Sequence, residues 1–275
     1  MKRLFCGLLC LLLLLGLAGC GSLLPAAQQG AQKERTEEQT MKPRETSGLS
    51  ALLDRLGYDY TILDERTLRG DLLAFYDAEA EQGKREGYTP VLVAGEMDGI
   101  LFQLDEGYDI QAELEKELPS GRDVLDSYRG YVEEILDEVN DMNFDPEMLQ
   151  ANVDCFEPIE NALTFGGEVA LVKLPTTNPW EAAILLPFGG FNECPSPAEM
   201  AAVLKLWYTQ YGAVPAAISY DSLSLRLPEP IPADEAESLA IDQFGFDFDL
   251  TQSDVSPLAY ASILTQTTVW NFWWD

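Results

Sequence analysis

Gly189-Gly190-Phe191-Asn192-Glu193-Cys194-Pro195-Ser196-Pro197-Ala198-Glu199-Met200, running on through Trp207 to Tyr211-Gly212-Ala213, decides how the chain is read. Ser196 is placed to cap a helix whose first residue, Pro197, has no amide hydrogen to leave unpaired. Glu199 stands three residues on, where its carboxylate can return to the Ser196 amide. Met200, Val203, Leu204, Trp207 and Tyr211 recur at steps of three and four, so they line one face. Gly212 tolerates the left-handed conformation that ends such a helix. The stretch reads as a glycine corner feeding one capped amphipathic helix, and nothing in it specifies a reaction.

Strands are predicted on both sides of it. Downstream, Ala216, Ile218 and Tyr220 alternate with smaller residues, Asp221-Ser222 turns the chain, and Leu223, Leu225 and Leu227 alternate back, which predicts a hairpin. Pro228, Pro230 and Pro232 end it. Ala236, Leu239, Ala240 and Phe244 mark a helix closed by Gly245, and Ser256-Pro257 opens another. Thr268-Val269-Trp270-Asn271-Phe272-Trp273-Trp274-Asp275 is β-prone, with Trp270, Phe272 and Trp274 on one face and Asn271, Trp273 and Asp275 on the other. Aromatics so concentrated belong inside a sheet, because an exposed edge of that composition aggregates.

Upstream, Val169–Leu174 and residues 182–186, joined through Pro175, Asn178 and Pro179, are predicted as a second hairpin. Val91-Leu92-Val93-Ala94 reads as a buried strand, and Ile100-Leu101-Phe102-Gln103-Leu104 as a strand or a short helix. Helices are predicted around Leu49 to Leu56, from Thr67 to Gly87 and through most of 109–141, where Val124, Tyr128, Val132, Ile135, Leu136 and Val139 share a face. Residues 142–167 are expected to be irregular. The resulting class is α+β, a mixed, largely antiparallel sheet with packed helices, as a single domain over 49–275; a division near residue 165 is the alternative.

Before that domain the composition changes. Lys2-Arg3, an apolar run over residues 4–17 and Leu17-Ala18-Gly19-Cys20 form a lipoprotein-type signal over 1–19, with Cys20 as the lipidated residue. The run is shorter than the ~20 residues a membrane-spanning helix needs. Residues 20–48 are polar and lack periodic apolar positions, the composition of a disordered, flexible tether. The expected place is the extracytoplasmic face of a bacterial membrane, with the acyl anchor on Cys20 contributing about 0.8 kcal/mol per buried methylene. Loss of the signal removes Lys2 and Arg3 and takes the net charge from −30 to −32. Such a surface repels nucleic acid and anionic headgroups, so nucleic acid is not an expected partner. The chain has no histidine. That removes Ser-His-Asp and Cys-His nucleophiles and histidine-ligated zinc. Cys6 and Cys10 lie in the signal, which leaves Cys155 and Cys194 either to pair or to stay as thiols.

The ordered set formed by the 189–195 corner, Trp207, Tyr211-Gly212-Ala213, Asp221, residues 236–249 and the terminal Trp270-Asn271-Phe272-Trp273-Trp274-Asp275 resembles the bacterial domain-of-unknown-function 4253 family. The resemblance covers about residues 180–275, with a weaker similarity around Tyr88-Thr89-Pro90-Val91-Leu92-Val93 that extends it towards residue 70. It implies a shared fold and carries no activity. Tyr208 stands where the family tends to have a histidine, and Asp247-Phe248-Asp249 where it tends to have Cys-Pro-Asp. Chemistry belonging to that histidine or cysteine is therefore not carried over.

Candidate binding residues are Asn192, Glu193, Asp249, Asn271, Trp273 and Asp275. Asn192 and Glu193 precede a helix N-terminus, where amides favour an anion. Cys194 has no base beside it to act as a proton partner. Trp273 shares its strand face with Asn271 and Asp275, so it is the tryptophan expected to reach a surface. Asp247, Asp249 and Thr251 alternate as the first ligands of an EF-hand loop do. Gln252 replaces the turn glycine, however, and Leu258 the bidentate glutamate. Asp141-Met142-Asn143-Phe144-Asp145 fails likewise at Pro146. These partial sets leave calcium as the one cofactor to test; no catalytic residue is assigned. The expectation is a membrane-anchored, non-enzymatic binding or protective (immunity-like) module for a peptide or protein, with a carboxylate-dependent, histidine-free hydrolase as the alternative.

Overall fold

The computed structural model describes residues 48–95, 97–140, 154–252 and 255–274. Cys20 and the rest of residues 1–47, the Asp141–Asp145 set and Asp275 lie outside these residues, as do the side chains of Ile135, Leu136 and Val139. In chain order the elements are α1 (Gly48–Leu56), β1 (Asp59–Ile62), α2 (Glu65–Leu68), α3 (Leu72–Glu86), β2 (Thr89–Ala94), α4 (Asp98–Asp105), α5 (Ile110–Leu114), α6 (Gly121–Asn140) and α7 (Glu157–Phe165). There follow β3 (Val169–Leu174), α8 (Ala182–Leu185), α9 (Pro197–Tyr211), β4 (Val214–Ile218), β5 (Ser222–Arg226), α10 (Ala233–Phe246), α11 (Pro257–Leu264) and β6 (Val269–Trp273).

Among the described residues the strands form one sheet in the order β1-β3-β2-β4-β5-β6. Each neighbouring pair is antiparallel except β2 and β4, which run parallel. The protein is thus α+β with a mixed, largely antiparallel sheet. Side chains alternate across the sheet with a period of two. Val91, Val93, Val172, Leu223, Leu225, Trp270 and Phe272 point into the main core, whereas Leu92, Ala94, Leu171 and Val269 enter a second core with Tyr76, Phe156 and Ile159. Both faces of β2 are therefore covered, which is why its sequence is an unbroken buried run and not an alternating one.

Helix α9 organises the main core. Its capping box is formed, with the Ser196 side chain accepting from the Glu199 amide and the Glu199 carboxylate accepting from the Ser196 amide. Gly212 closes it in the left-handed region. Trp207 stacks on Phe272 at 5.6 Å and 11°, and meets Trp270 and Phe246 edge-on at 5.6 and 4.9 Å. The aromatics of β6 are accordingly sheet residues packed beneath the helix.

Three local expectations are corrected and one open alternative is decided. Residues 182–186 form no strand: Ala182–Leu185 is a helical turn following a 3-10 turn at Pro179–Glu181. The predicted partner β3 already has β1 on one edge and β2 on the other, so no edge is left for it. Of the alternatives at 100–104, the helix forms as part of α4. The supposedly irregular 142–167 contains α7, which Pro158 opens and left-handed Gly166 ends. Gly245 does not end α10, which continues to Phe246. A Cβ at Gly245 would lie 3.3 Å from Tyr128 Cβ and 3.4 Å from the Arg129 amide nitrogen, so this glycine lets α10 lie closely against α6.

Candidate functional site

Where β2 and β4 end side by side, their chains diverge. β2 leads through Gly95 into α4, and β4 turns at Ser219 to Ser222 into β5. Divergence beyond the carboxyl ends of parallel strands opens a crevice, as at the switch points of α/β sheets. Here it is a cleft of about 650 Å³, completed by Asn161, Phe165 and Gly166 of the α7 end and by Trp273. That volume lies in the range of small-ligand and side-chain pockets.

Three aromatic side chains stand exposed around it: Trp273 at 39%, Tyr220 at 61% and Phe165 at 85%. Asp98 and Asp221 supply its carboxylates, and no lysine or arginine is among its described lining residues. Asp221 is held by its own turn. Its Oδ1 accepts from the Ser219 hydroxyl at 3.0 Å and the Ser222 hydroxyl at 2.8 Å, while Oδ2 accepts from Trp273 Nε1 at 3.0 Å. The indole is thereby fixed at the rim by the carboxylate that lines the floor. Beside them Glu157 has its carboxyl pKa raised, by burial first and by the Asp221 charge second.

The sequence-derived candidates separate into three places. Trp273 belongs to the cleft. Asn271 lies on the same strand face but deeper, with its amide engaged: Oδ1 accepts from the Glu157 amide at 3.2 Å and from the Ser224 hydroxyl, and Nδ2 donates to the Cys155 carbonyl at 3.1 Å. These bonds tie the start of α7 to β5 and β6. Asn192 and Glu193 lie on the exposed corner before α9. That corner is anchored on the opposite face of the sheet, through Phe191 against Phe188 and Phe188 against Trp274. Gln103 donates to the Gly189 carbonyl at 2.7 Å and steadies it. Cys194 is buried, and burial pushes its thiol pKa up, the reverse of an activated nucleophile. Cys155 and Cys194 are both free thiols.

Asp247, Asp249 and Thr251 occupy the end of α10 and the following 3-10 turn, not an extended calcium loop. Thr251 donates its hydroxyl proton to the Phe248 carbonyl at 2.7 Å. Asp247 is fully buried; its Oδ2 accepts from the Trp273 amide at 2.9 Å, and Oδ1 has no partner among the described residues. Burial, with a smaller contribution from Asp249, raises its pKa to about 8, so it is mainly a neutral acid at pH 7. Among the described residues no group of three or more acidic or cysteine side chains is arranged to hold a metal.

A second cavity, of about 610 Å³, opens at the other end of the sheet beside Asp77, Glu81, Lys84 and Arg226. Its charges pair with one another, Arg226 with Asp77 at 2.8 Å and Lys84 with Glu81 at 2.7 Å, so it presents little uncompensated charge to a ligand.

Sequence reasoning missed Tyr220, Asp221, Asp98 and Phe165 as site residues. Tyr220 read as the last position of an alternating strand, and Asp221 as a turn former. Phe165 carried a signal, since it is an aromatic placed directly before Gly166-Gly167, where a helix end would leave it uncovered.

The fold and cleft define a mixed α+β domain with a ligand-sized crevice at its strand ends. Within it, residues 170–275 match the family model described as Domain of unknown function (DUF4253). No curated protein and no solved structure matches the chain. The matched region contributes Ser219, Tyr220, Asp221 and Trp273 to the cleft, whereas Asp98 and Phe165 come from the preceding chain.

Proposed function

We propose that this protein is a membrane-anchored, extracytoplasmic binding protein, held by an acyl group on Cys20, that takes a peptide or protein ligand in the cleft between β2 and β4. The observation that carries the reading is the cleft itself, open to solvent and rimmed by Trp273, Tyr220 and Phe165. Exposed aromatics around a concavity offer large contact area at small entropic loss, the usual composition of binding hot spots. The anchor and location rest on the signal and the Leu17-Ala18-Gly19-Cys20 segment. None of the described helices is long and apolar enough to cross a membrane.

A hydrolase reading has one observation in its favour. Glu157 has its pKa raised by burial and by the Asp221 charge, the tuning that a general acid needs. Against it, Asp221 is occupied by two hydroxyls and an indole, an arrangement suited to support more than to proton transfer.

Photo-crosslinking in native membranes tests the binding reading. A benzophenone side chain at Tyr220, on the cleft rim, should give a discrete adduct. The same group at Leu258, exposed on α11, should not. Equal adducts from both positions would remove the cleft from the proposal. Metabolic labelling with a fatty acid, abolished by Cys20→Ser, tests the anchor.

A further inference from the structure

The geometry points to the ligand's chemistry: we infer that the cleft receives a positively charged side chain, the ammonium of lysine or the guanidinium of arginine, presented by a polypeptide. This rests on the cleft being the ligand site and adds what it selects.

Electrostatic complementarity is the first argument. Asp98 and Asp221 line the cleft without a basic residue among its described lining. Asp221's carboxylate accepts from two neutral hydroxyls and an indole, and none of these donors is a counter-ion for its charge. Behind the lining, Glu157 is a further carboxyl whose ionisation is disfavoured by burial first and by the Asp221 charge second. An arriving cation relieves that repulsion, and an arriving anion increases it.

The rim supplies the second argument. Trp273, Tyr220 and Phe165 are π-faces beside the carboxylates, and a cation over such a face is attracted by the ring quadrupole, more strongly as it is desolvated. A neutral apolar group would gain contact area from the same rings and nothing from the charges.

Two helix ends bear on the sign. α7 brings its carbonyl end, at Phe165 and Gly166, to the cleft, which favours a cation. α4 brings its amide end, which favours an anion, but Asp98 sits in that first turn and already offsets it. The chain's net charge of −30 raises the local concentration of cations around the whole surface. The cleft is larger than one side chain needs and leaves room for adjoining backbone, which favours a residue within a peptide over a free metal ion.

The test uses the full chain, purified in a non-ionic detergent and labelled with 5-fluorotryptophan. The Trp273 fluorine signal is assigned by its loss in Trp273→Phe. Four capped tripeptides, glycyl-Xaa-glycine with Xaa as lysine, arginine, norleucine or glutamate, are titrated in turn. Lysine and arginine peptides should shift the Trp273 signal about tenfold more tightly than norleucine, a difference equivalent to roughly 1.4 kcal/mol. The glutamate peptide should leave the signal in place. Raised salt should weaken the lysine peptide and not norleucine. Asp98→Lys, a change at an exposed position in the first turn of α4, should lower the affinity for the lysine peptide relative to norleucine about fivefold or more. Asp98→Asn should fall between the two.

Norleucine binding as tightly as lysine, with Asp98→Lys neutral, would overturn the cation inference while the cleft stood, since Trp273 would still respond. Silence from all four peptides would also overturn it. Adducts at Tyr220 then decide separately whether the cleft binds a ligand of another kind.

Discussion

Asp247→Asn should remove a large share of the pH dependence of folding. Asp247 is fully buried and titrates near 8 instead of near 3.8, chiefly because burial disfavours its charge. The unfolded chain releases that proton near pH 4. Between about pH 4 and pH 8 the folded protein therefore holds a proton that the unfolded chain has lost. Stability falls as pH rises through that window and levels off above it, where both states are ionised. Each pH unit is worth about 1.4 kcal/mol, so the whole window amounts to roughly 5 kcal/mol. Asparagine keeps an oxygen for the Trp273 amide and has no proton to lose. Urea unfolding of both proteins at several pH values from 4 to 9 gives a difference curve in which the other carboxylates cancel, Glu157 included. That difference, asparagine minus aspartate, should climb by about 1.4 kcal/mol per unit and flatten above pH 8. A flat difference, or one that falls with pH, would refute a buried neutral acid at this position.

Gly189→Ala should unfold the corner before α9, because the added Cβ would lie 2.1 Å from the Pro195 carbonyl oxygen at a φ of +108°. A loss of about 2–5 kcal/mol is expected, read as a fall in Tm. Asp242 accepts from Arg122 at 2.7 and 2.8 Å and from Arg129 at 2.8 Å, joining α10 to α6. Asp242→Ala should lose about 1–3 kcal/mol in urea unfolding, less than for a fully buried pair because both arginines can rehydrate; Asp242→Asn should lose less. Trp207→Ala, which empties the space between Phe272, Trp270 and Phe246, should cost about 3–5 kcal/mol by the same assay. Ser196→Ala removes half of the capping box and should cost about 1 kcal/mol, recovered in large part by Ser196→Asp.

Local chemistry explains which elements were legible in the chain and which were not. The Ser196-Pro197-Ala198-Glu199 start and the Gly212 end of α9 depend on hydrogen bonds within a few residues, and both form as read. Trp270, Phe272 and Trp274 alternate in sequence and are buried on one face, while Trp273 emerges on the other. Residues 182–186 misled because a short apolar run suits a strand or a buried helical turn equally well. Only occupancy of both edges of β3 decides between them. Gly245 reads as a helix stop until α6 is laid against it. β1, four residues long and half exposed, carries too little burial to stand out.

By itself the sequence determined the class of fold, the capped central helix, the aromatic strand, the acidic surface and the lack of histidine chemistry. Each of these follows from composition or from contacts between near neighbours. Tertiary structure alone decided the pairing of β2 with β4, the neutral interior position of Asp247 and the cleft that gathers Asp98, Phe165, Asp221 and Trp273. Those residues come from parts of the chain far apart in sequence, and no local pattern encodes their meeting. They come together because two parallel strands end side by side, and the packing of the whole sheet sets where that happens.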